Sequence, residues 1–311
     1  MIINTVEAKV TTPTTIALGN FDGIHRGHQA VLQPVLNCQN NDLCKSVVSF
    51  DPHPREFFSG QKMTLLTPQA EKANYLQQLG FQQLILIPFN QDLAKLSPQD
   101  FIQEILLAKI KAKIISVGED FHFGYQRKGN AKQLQEITSK FKIKTYINSL
   151  LQYENNNETS VRVSSSLIRK ALSQGNIKQA NLMLGRAYIL EGKVVEGKKL
   201  GRTIGFPTAN LSIPEDKYLP CNGVYAVKVN YQNEILPAVM NIGLRPTVSG
   251  NSITVEVHLL EWTGDLYGKT ITVSLQEFLR SEQKFPSLSD LKQQISLDCQ
   301  KAKKLLTVSQ T

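Results

Sequence analysis

At 311 residues the chain is long enough for two domains of the usual ~100–200 residues. Its 41% hydrophobic and 20% charged residues suit a globular protein with real cores and exclude disorder. The net charge of +9 lies wholly in residues 101–200, with 17 Lys+Arg against 8 Asp+Glu, while the rest of the chain balances at 18 against 18.

In chain order, Thr14–Leu18 reads as a short apolar strand, followed by glycine-rich residues 19–27 and helical periodicity over His28–Leu36. Ser46–Phe50 is a second strand. Thr67–Leu79 reads as a helix capped by Thr67, with Pro68 at its first position and Gly80 past its end. Leu84–Pro88 is a strand, and Ser97–Leu107 a helix opened by Ser97-Pro98. Ile114–Val117, helix Ala131–Phe141 and strand Lys144–Ile147 complete the alternation. Strands spaced by helices imply a parallel sheet covered on both faces. Ligands then bind beyond the carboxyl ends of the strands, where Gly19, Pro52 and Gly118 fall.

Two short helices, Ser165–Leu172 and Ile177–Leu184 with Gly185 as its stop, close this half. From Tyr188 the pattern changes. Gly192–Val195, Val224–Val229, Leu236–Ile242, Ser252–Leu260 and Thr270–Leu275 are short β-branched runs divided by Gly, Pro and Asn, as in a compact antiparallel barrel. Ser289–Leu306 reads as an amphipathic helix covering that barrel. The boundary is expected near Arg186, giving domains 1–185 and 186–311.

No apolar run approaches the ~20 residues of a bilayer span. Met1–Glu7 carries no basic-then-apolar leader. The four cysteines show no C-x-x-C spacing, so neither a zinc site nor a disulfide scaffold is expected. A soluble protein of the reducing cytoplasm fits these features. The basic middle reads as a solvated lysine face or a site for phosphates. It lacks the aromatic interleaving and fold signatures of a nucleic-acid binder.

The most informative segment is Gly19-Asn20-Phe21-Asp22-Gly23-Ile24-His25-Arg26-Gly27-His28, which follows a strand and opens a helix. Glycines allow close approach to a phosphate, and a helix start offers free N–H groups. Two of the five histidines fall in this turn, spaced to donate to a triphosphate as charge builds on a leaving group.

His25-Arg26-Gly27-His28 resembles the H-x-G-H signature of the nucleotidyltransferase superfamily. With Phe50-Asp51-Pro52-His53-Pro54, Val117-Gly118-Glu119-Asp120-Phe121-His122-Phe123-Gly124 and Arg162-Val163-Ser164-Ser165-Ser166-Leu167-Ile168-Arg169, it resembles the FMN adenylyltransferase module of bacterial bifunctional FAD synthetases. Gly201-Arg202-Thr203-Ile204-Gly205-Phe206-Pro207-Thr208-Ala209-Asn210 carries the P-T-A-N signature of that family's riboflavin kinase module. Gly223–Ala226, Asn241–Thr247, Glu256–His258 and Asp265–Gly268 continue it.

The resemblance implies a Rossmann-like N-terminal nucleotidyltransferase domain and a six-stranded antiparallel β-barrel with a C-terminal helix. It also implies riboflavin, FMN and ATP as small-molecule partners, FMN and FAD as products and Mg²⁺ as cofactor. No nucleic acid or membrane partner is expected, and the protein is taken as a monomer or weak homo-oligomer.

By the same resemblance Gly19, Phe21, Asp22, His25, His28, Arg162, Ser165, Ser166 and Arg169 bind the ATP of adenylyl transfer, and His53, Pro54 and Asp120 the flavin. Gly201, Gly205, Thr208 and Asn210 bind the ATP of the kinase, Thr208 and Asn210 as metal ligands, with Glu256 as base. Gly197–Gly205 resembles a flap over ATP. Arg127 and Arg280 are further candidates, Arg280 for flavin or nucleotide.

The family pattern Ser-Ser-Thr-x-Ile-Arg is altered here. Ser166 keeps a hydroxyl, whereas Leu167 removes a cation often found there.

The chemistry fits the residues. An FMN phosphate with second pKa ~6 is already anionic and needs no base. The neutral hydroxyl of riboflavin benefits from a carboxylate. Two other readings compete: a homologue keeping one activity, and a non-enzymatic flavin- or RNA-binding protein using the basic middle.

Overall fold

The computed structural model describes residues 1–5, 10, 12–154, 160–197, 201, 204–232, 234–247 and 250–307. They divide into two units, Met1–Ser165 and Ser166–Thr311.

In the first unit β1 (Ile2–Thr5), β2 (Thr14–Leu18), β3 (Cys44–Asp51), β4 (Gln83–Pro88), β5 (Ala112–Gly118) and β8 (Lys144–Asn148) form one sheet, in the order β1-β4-β3-β2-β5-β8. Every pairing is parallel. Such strands are buried on both faces, which is why β2 and β4 read as continuous apolar runs. Alternation along β2 sends Ile16 and Leu18 into one core and Ala17 into the other.

The chain leaves β2 toward β3 on one side and later returns to β5 on the other. That reversal makes the β2/β5 crevice the switch point of the sheet. Two minor ribbons follow the main strands, β6 (His122–Phe123) with β7 (Gly129–Asn130) and β9 (Gln152–Glu154) with β10 (Ser160–Arg162).

The second unit is a closed antiparallel barrel. Its strands are β11 (Tyr188–Val195), β12 (Ala209–Ser212), β13 (Gly223–Tyr231), β14 (Glu234–Thr247), β15 (Gly250–Leu259) and β16 (Thr270–Arg280). They close in the order β11-β12-β15-β14-β13-β16. The helix Leu288–Thr307 lays Ala302 and Leu306 on Val224, Ala226, Val239 and Leu279.

The structure departs from the sequence-based expectations in three places. β1 is an edge strand with Ile2 and Ile3 exposed, too short and too wet for an apolar run to reveal. β12 begins within the P-T-A-N text. The helix expected to be capped by Thr67 spans Gln69–Gln78, because Pro68 itself stays extended (ψ 161°) and becomes the cap.

The helices Ser165–Ser173 and Ile177–Leu184 fall, apart from Ser165, within the unit Ser166–Thr311. Their polar groups are used there. Asn181 donates to the Leu275 carbonyl at 2.8 Å and accepts from the Tyr188 amide at 2.7 Å. The Cys221 amide donates to the Leu172 carbonyl at 3.2 Å.

Candidate functional site

The turn after β2 is built by its own side chains. Phe21, 1% exposed, plugs the space beneath it, and a Cβ on Gly19 would stand 3.2 Å from that ring. The backbone turns through positive φ at Phe21, Gly23 and Ile24. Asp22 points inward, its Oδ1 accepting from the Thr67 amide at 3.1 Å, and its own carbonyl accepts from Ser165 Oγ at 2.8 Å.

His25 caps the helix Arg26–Leu36, its Nδ1 accepting from the His28 amide at 3.2 Å. An Nδ1 that accepts leaves the neutral ring's proton on Nε2. The rings of His25 and His28 stack at 3.5 Å between centroids, and Phe21 meets His28 edge-on at 5.4 Å. Two aligned imidazoles therefore stand at a helix start, at the carboxyl end of the strand where the sheet reverses. Helix start and rings together favour an anion.

The neighbouring strand ends supply the rest. After β3, His53 caps the helix Pro54–Ser59 through Nδ1, which accepts from the Arg55 amide at 3.0 Å. That helix carries Phe57 and Phe58, packed edge-on against each other and against Phe89 at 5.3–5.7 Å between centroids. Phe58 remains 72% exposed, an apolar face left open on the helix that His53 caps. Only its place after His-Pro could have marked it in the sequence.

After β5, Asp120 forms an ion pair with Arg162 of β10, both half exposed. Two residues expected on different ligands thus touch each other. Arg127 lies exposed in the helical turn Tyr125–Arg127. Ser166 and Arg169 belong to the barrel's unit, where the Arg169 guanidinium lies 5.6 Å over the Tyr218 ring.

The sequence also passed over Lys72. It is buried, and its Nζ donates to the Asn20 carbonyl at 2.9 Å. Burial pushes its pKa below that of an ordinary lysine, opposed by the charges of Asp22 and Asp51.

In the barrel the candidate residues converge across strands. Glu256 of β15 lies directly opposite Asn210 of β12 on one side and Asn241 of β14 on the other. Opposed residues share a face, so a carboxylate stands between two amides. Asn241 was legible only as part of a longer motif. Gly197 packs on this row, since a Cβ there would come 2.1 Å from Asn210 Nδ2, and Gly201 packs on Phe206 and Thr208. Of the expected flap, residues 198–200 and 202–203 lie outside the described residues. Gly205 has φ +90° and open space around it.

His258, two residues beyond Glu256 on the same face, places Nδ1 2.7 Å from the Pro207 carbonyl. A carbonyl can only accept, so this nitrogen carries the proton and donates. Arg280 is committed elsewhere: its Nε and Nη2 bind the buried Asp298 at 2.8–3.1 Å and hold the C-terminal helix to β16. That correction removes it from the flavin and nucleotide candidates. Among the described residues no group of three His, Cys, Asp or Glu side chains is placed to hold a metal by itself.

Comparison with known proteins agrees with this division. The family described as FAD synthetase matches residues 7–166, and that described as riboflavin kinase matches residues 184–306. A bifunctional riboflavin kinase/FMN adenylyltransferase of Escherichia coli is 40% identical over 286 residues, covering 91% of this chain and 90% of its own. The protein of the same description from Buchnera aphidicola is 38% identical over 295 residues, covering 93% and 92%.

A solved structure described as a macrolide-efflux protein from Streptococcus pneumoniae matches with TM-score 0.84 at 30% identity, covering 96% of this chain and 97% of that one. Among the described residues no helix is long and apolar enough to cross a membrane.

Proposed function

The chain belongs to the bifunctional riboflavin kinase/FMN adenylyltransferase family, and from that premise we propose how its residues divide the work. Its function is to phosphorylate riboflavin to FMN with ATP and then to transfer an adenylyl group from ATP to FMN, giving FAD and pyrophosphate. We assign adenylyl transfer to residues 1–185 and phosphorylation to residues 186–311, in a protein of the reducing cytoplasm.

In adenylyl transfer an oxygen of the FMN phosphate attacks the α-phosphorus of ATP, and the bond to the β-phosphate breaks. The nucleophile is already an anion, so catalysis is alignment plus stabilisation of charge on the departing pyrophosphate. His25 and His28 donate to the phosphates from the helix start, and Gly19, Phe21 and Asp22 give the turn its shape. Ser165 and Arg162 add a donor and positive charge. His53 and Pro54 border the flavin, the exposed Phe58 offers it an apolar face, and Asp120 contacts it or holds Arg162. The stacked histidine pair at the switch point carries this assignment.

In the kinase step Glu256 takes the proton of the riboflavin hydroxyl as that oxygen attacks the γ-phosphorus, and the bond to the β-phosphate oxygen breaks to release ADP. The row Asn210–Glu256–Asn241 carries this assignment. Thr208 and Asn210 offer the oxygen donors that suit Mg²⁺. No carboxylate cage is needed, because this ion is commonly bound through substrate phosphates and water with one or two protein ligands. An ion held by Thr208 and Asn210 would supply neutralisation of charge on the phosphates.

A second reading of the base rests on one observation. His258, oriented by its bond to Pro207, is arranged as a histidine base commonly is.

The deciding experiment incubates the protein with riboflavin and Mg-ATP and separates FMN from FAD by chromatography. The wild type makes both, and His28→Ala accumulates FMN with little FAD. Equal loss of both products in that variant overturns the division of activities.

A further inference from the structure

Lys72 stands apart from the exposed lysines that carry much of the chain's charge. It lies on the helix Gln69–Gln78, is 8% exposed, and donates to the Asn20 carbonyl at 2.9 Å. The same carbonyl accepts from Ser49 Oγ at 3.2 Å. Thr67, just before that helix, ties its amide to Asp22 on the far side of Phe21. Burying an ammonium is costly, and an aliphatic side chain would fill the same space without that cost. Packing alone therefore does not explain a lysine here.

The geometry of the peptide unit does. In a planar trans peptide the C=O and the N–H point in opposite directions. Holding the Asn20 carbonyl on Lys72 turns the Phe21 N–H away from the helix Gln69–Gln78. That N–H belongs to the strained stretch, with positive φ at Phe21, Gly23 and Ile24, which leads into His25 and His28.

We propose that Lys72 is a positioning residue for adenylyl transfer, its ammonium fixing the Asn20–Phe21 peptide so that the turn presents its N–H groups and histidines in order to the ATP phosphates. Lys72 acts through the turn and does not touch the reacting atoms. Burial lowers the Lys72 pKa, and the charges of Asp22 and Asp51 oppose that pull. The inference rests on the assignment of the His25–His28 turn to ATP.

The test uses the full chain, with FAD formation from supplied FMN measured against ATP and FMN separately. Lys72→Met should raise the KM for ATP about tenfold or more, the scale of a lost hydrogen bond to a charged group. The KM for FMN and the rate of riboflavin phosphorylation should stay within a factor of about two. A purely structural role would lower kcat through the active fraction, without separating the two KM values.

An unchanged KM for ATP, or equal rises for ATP and FMN, overturns the proposal. Should Lys72→Met not fold, Ser49→Ala decides. It removes the milder donor to the same carbonyl and should raise the KM for ATP alone, and no change refutes the positioning of that peptide. His28→Ala serves as reference. If it leaves FAD formation intact, the assignment of the turn fails. If it abolishes FAD formation while Lys72→Met is silent, only the role of Lys72 fails.

Discussion

Glu256 lies between two amides in the barrel, two residues from His258, and substitution separates these two proposed candidates for base. Glu256→Gln keeps shape and reach but removes the proton acceptor, so riboflavin phosphorylation should fall ~10²–10⁴-fold in kcat with little change in nucleotide affinity. FAD formation from supplied FMN should be unaffected. His258→Gln keeps a donor for the Pro207 carbonyl and should cost far less. Rates measured in parallel check this, and a near-normal Glu256→Gln beside a collapsed His258→Gln would move the base to the histidine.

At this scale the sequence exposed residues whose chemistry is local and concentrated, such as the paired histidines, whereas Glu256 stood out only through the family resemblance. The sequence concealed residues defined by neighbours in space. Lys72 looks like any helical lysine until it is seen under Asn20, and Asn241 acquires meaning only from the register that sets it against Glu256. Arg280 misled for the same reason, since Asp298 lies 18 residues away and one strand-to-helix connection later.

Elements carry these residues into place, and two of them make testable demands. β11 runs on to Gly197, which lies so close to Asn210 that a Cβ would overlap its amide. Gly197→Ala should push that amide aside, lowering riboflavin phosphorylation and raising the Mg²⁺ concentration needed for half-maximal rate. FAD formation should be unchanged. Titration of both activities with Mg²⁺ checks it.

The C-terminal helix brings a pH dependence. Burial first, then the charge of Asp298, raises the Cys299 thiol from 9.0 to about 11. Between those values the folded chain keeps a proton that the unfolded chain has released, so stability falls as pH climbs from about 9 to about 11. The buried Tyr225 hydroxyl, also raised by burial, adds a loss of the same sign above 10.0. Cys299→Ala should flatten the first part of that fall, as denaturant midpoints across this range would record.

Helices and long strands were legible because periodicity and caps are local, as with Ser97 accepting from the Asp100 amide and Gly185 ending its helix at φ +72°. β12 was not. Its first two residues, Ala209 and Asn210, end the P-T-A-N motif, and its four residues become a strand only by pairing with β11 and β15.

For the whole molecule, two grammars in the sequence gave two units, but the helices between them were harder to assign. An amphipathic helix records that it has an apolar face, not which core receives it. The alternation of strands and helices before residue 185 suggested the first domain. The bonds of Asn181 to Leu275 and Tyr188, and of Cys221 to Leu172, instead join these helices to barrel residues. Gly175 packs against the Phe278 ring, where a Cβ would come 2.9 Å from it. The matched kinase region begins at residue 184, nearly two helices later than the structural unit at Ser166.

This difference predicts the behaviour of fragments. A chain of residues 186–311 retains all six strands and the covering helix, and should still phosphorylate riboflavin. It also exposes the apolar surface under Ile177, Ala180, Met183 and Leu184, all buried in the full chain, and leaves the Tyr188 amide without Asn181. Burying one such side chain is worth ~1.5–3 kcal/mol. A fragment of residues 166–311 should therefore melt several degrees higher and aggregate less at equal kinase activity. Thermal melts and light scattering on both fragments test the boundary, and equal stability would return these helices to the adenylyltransferase half.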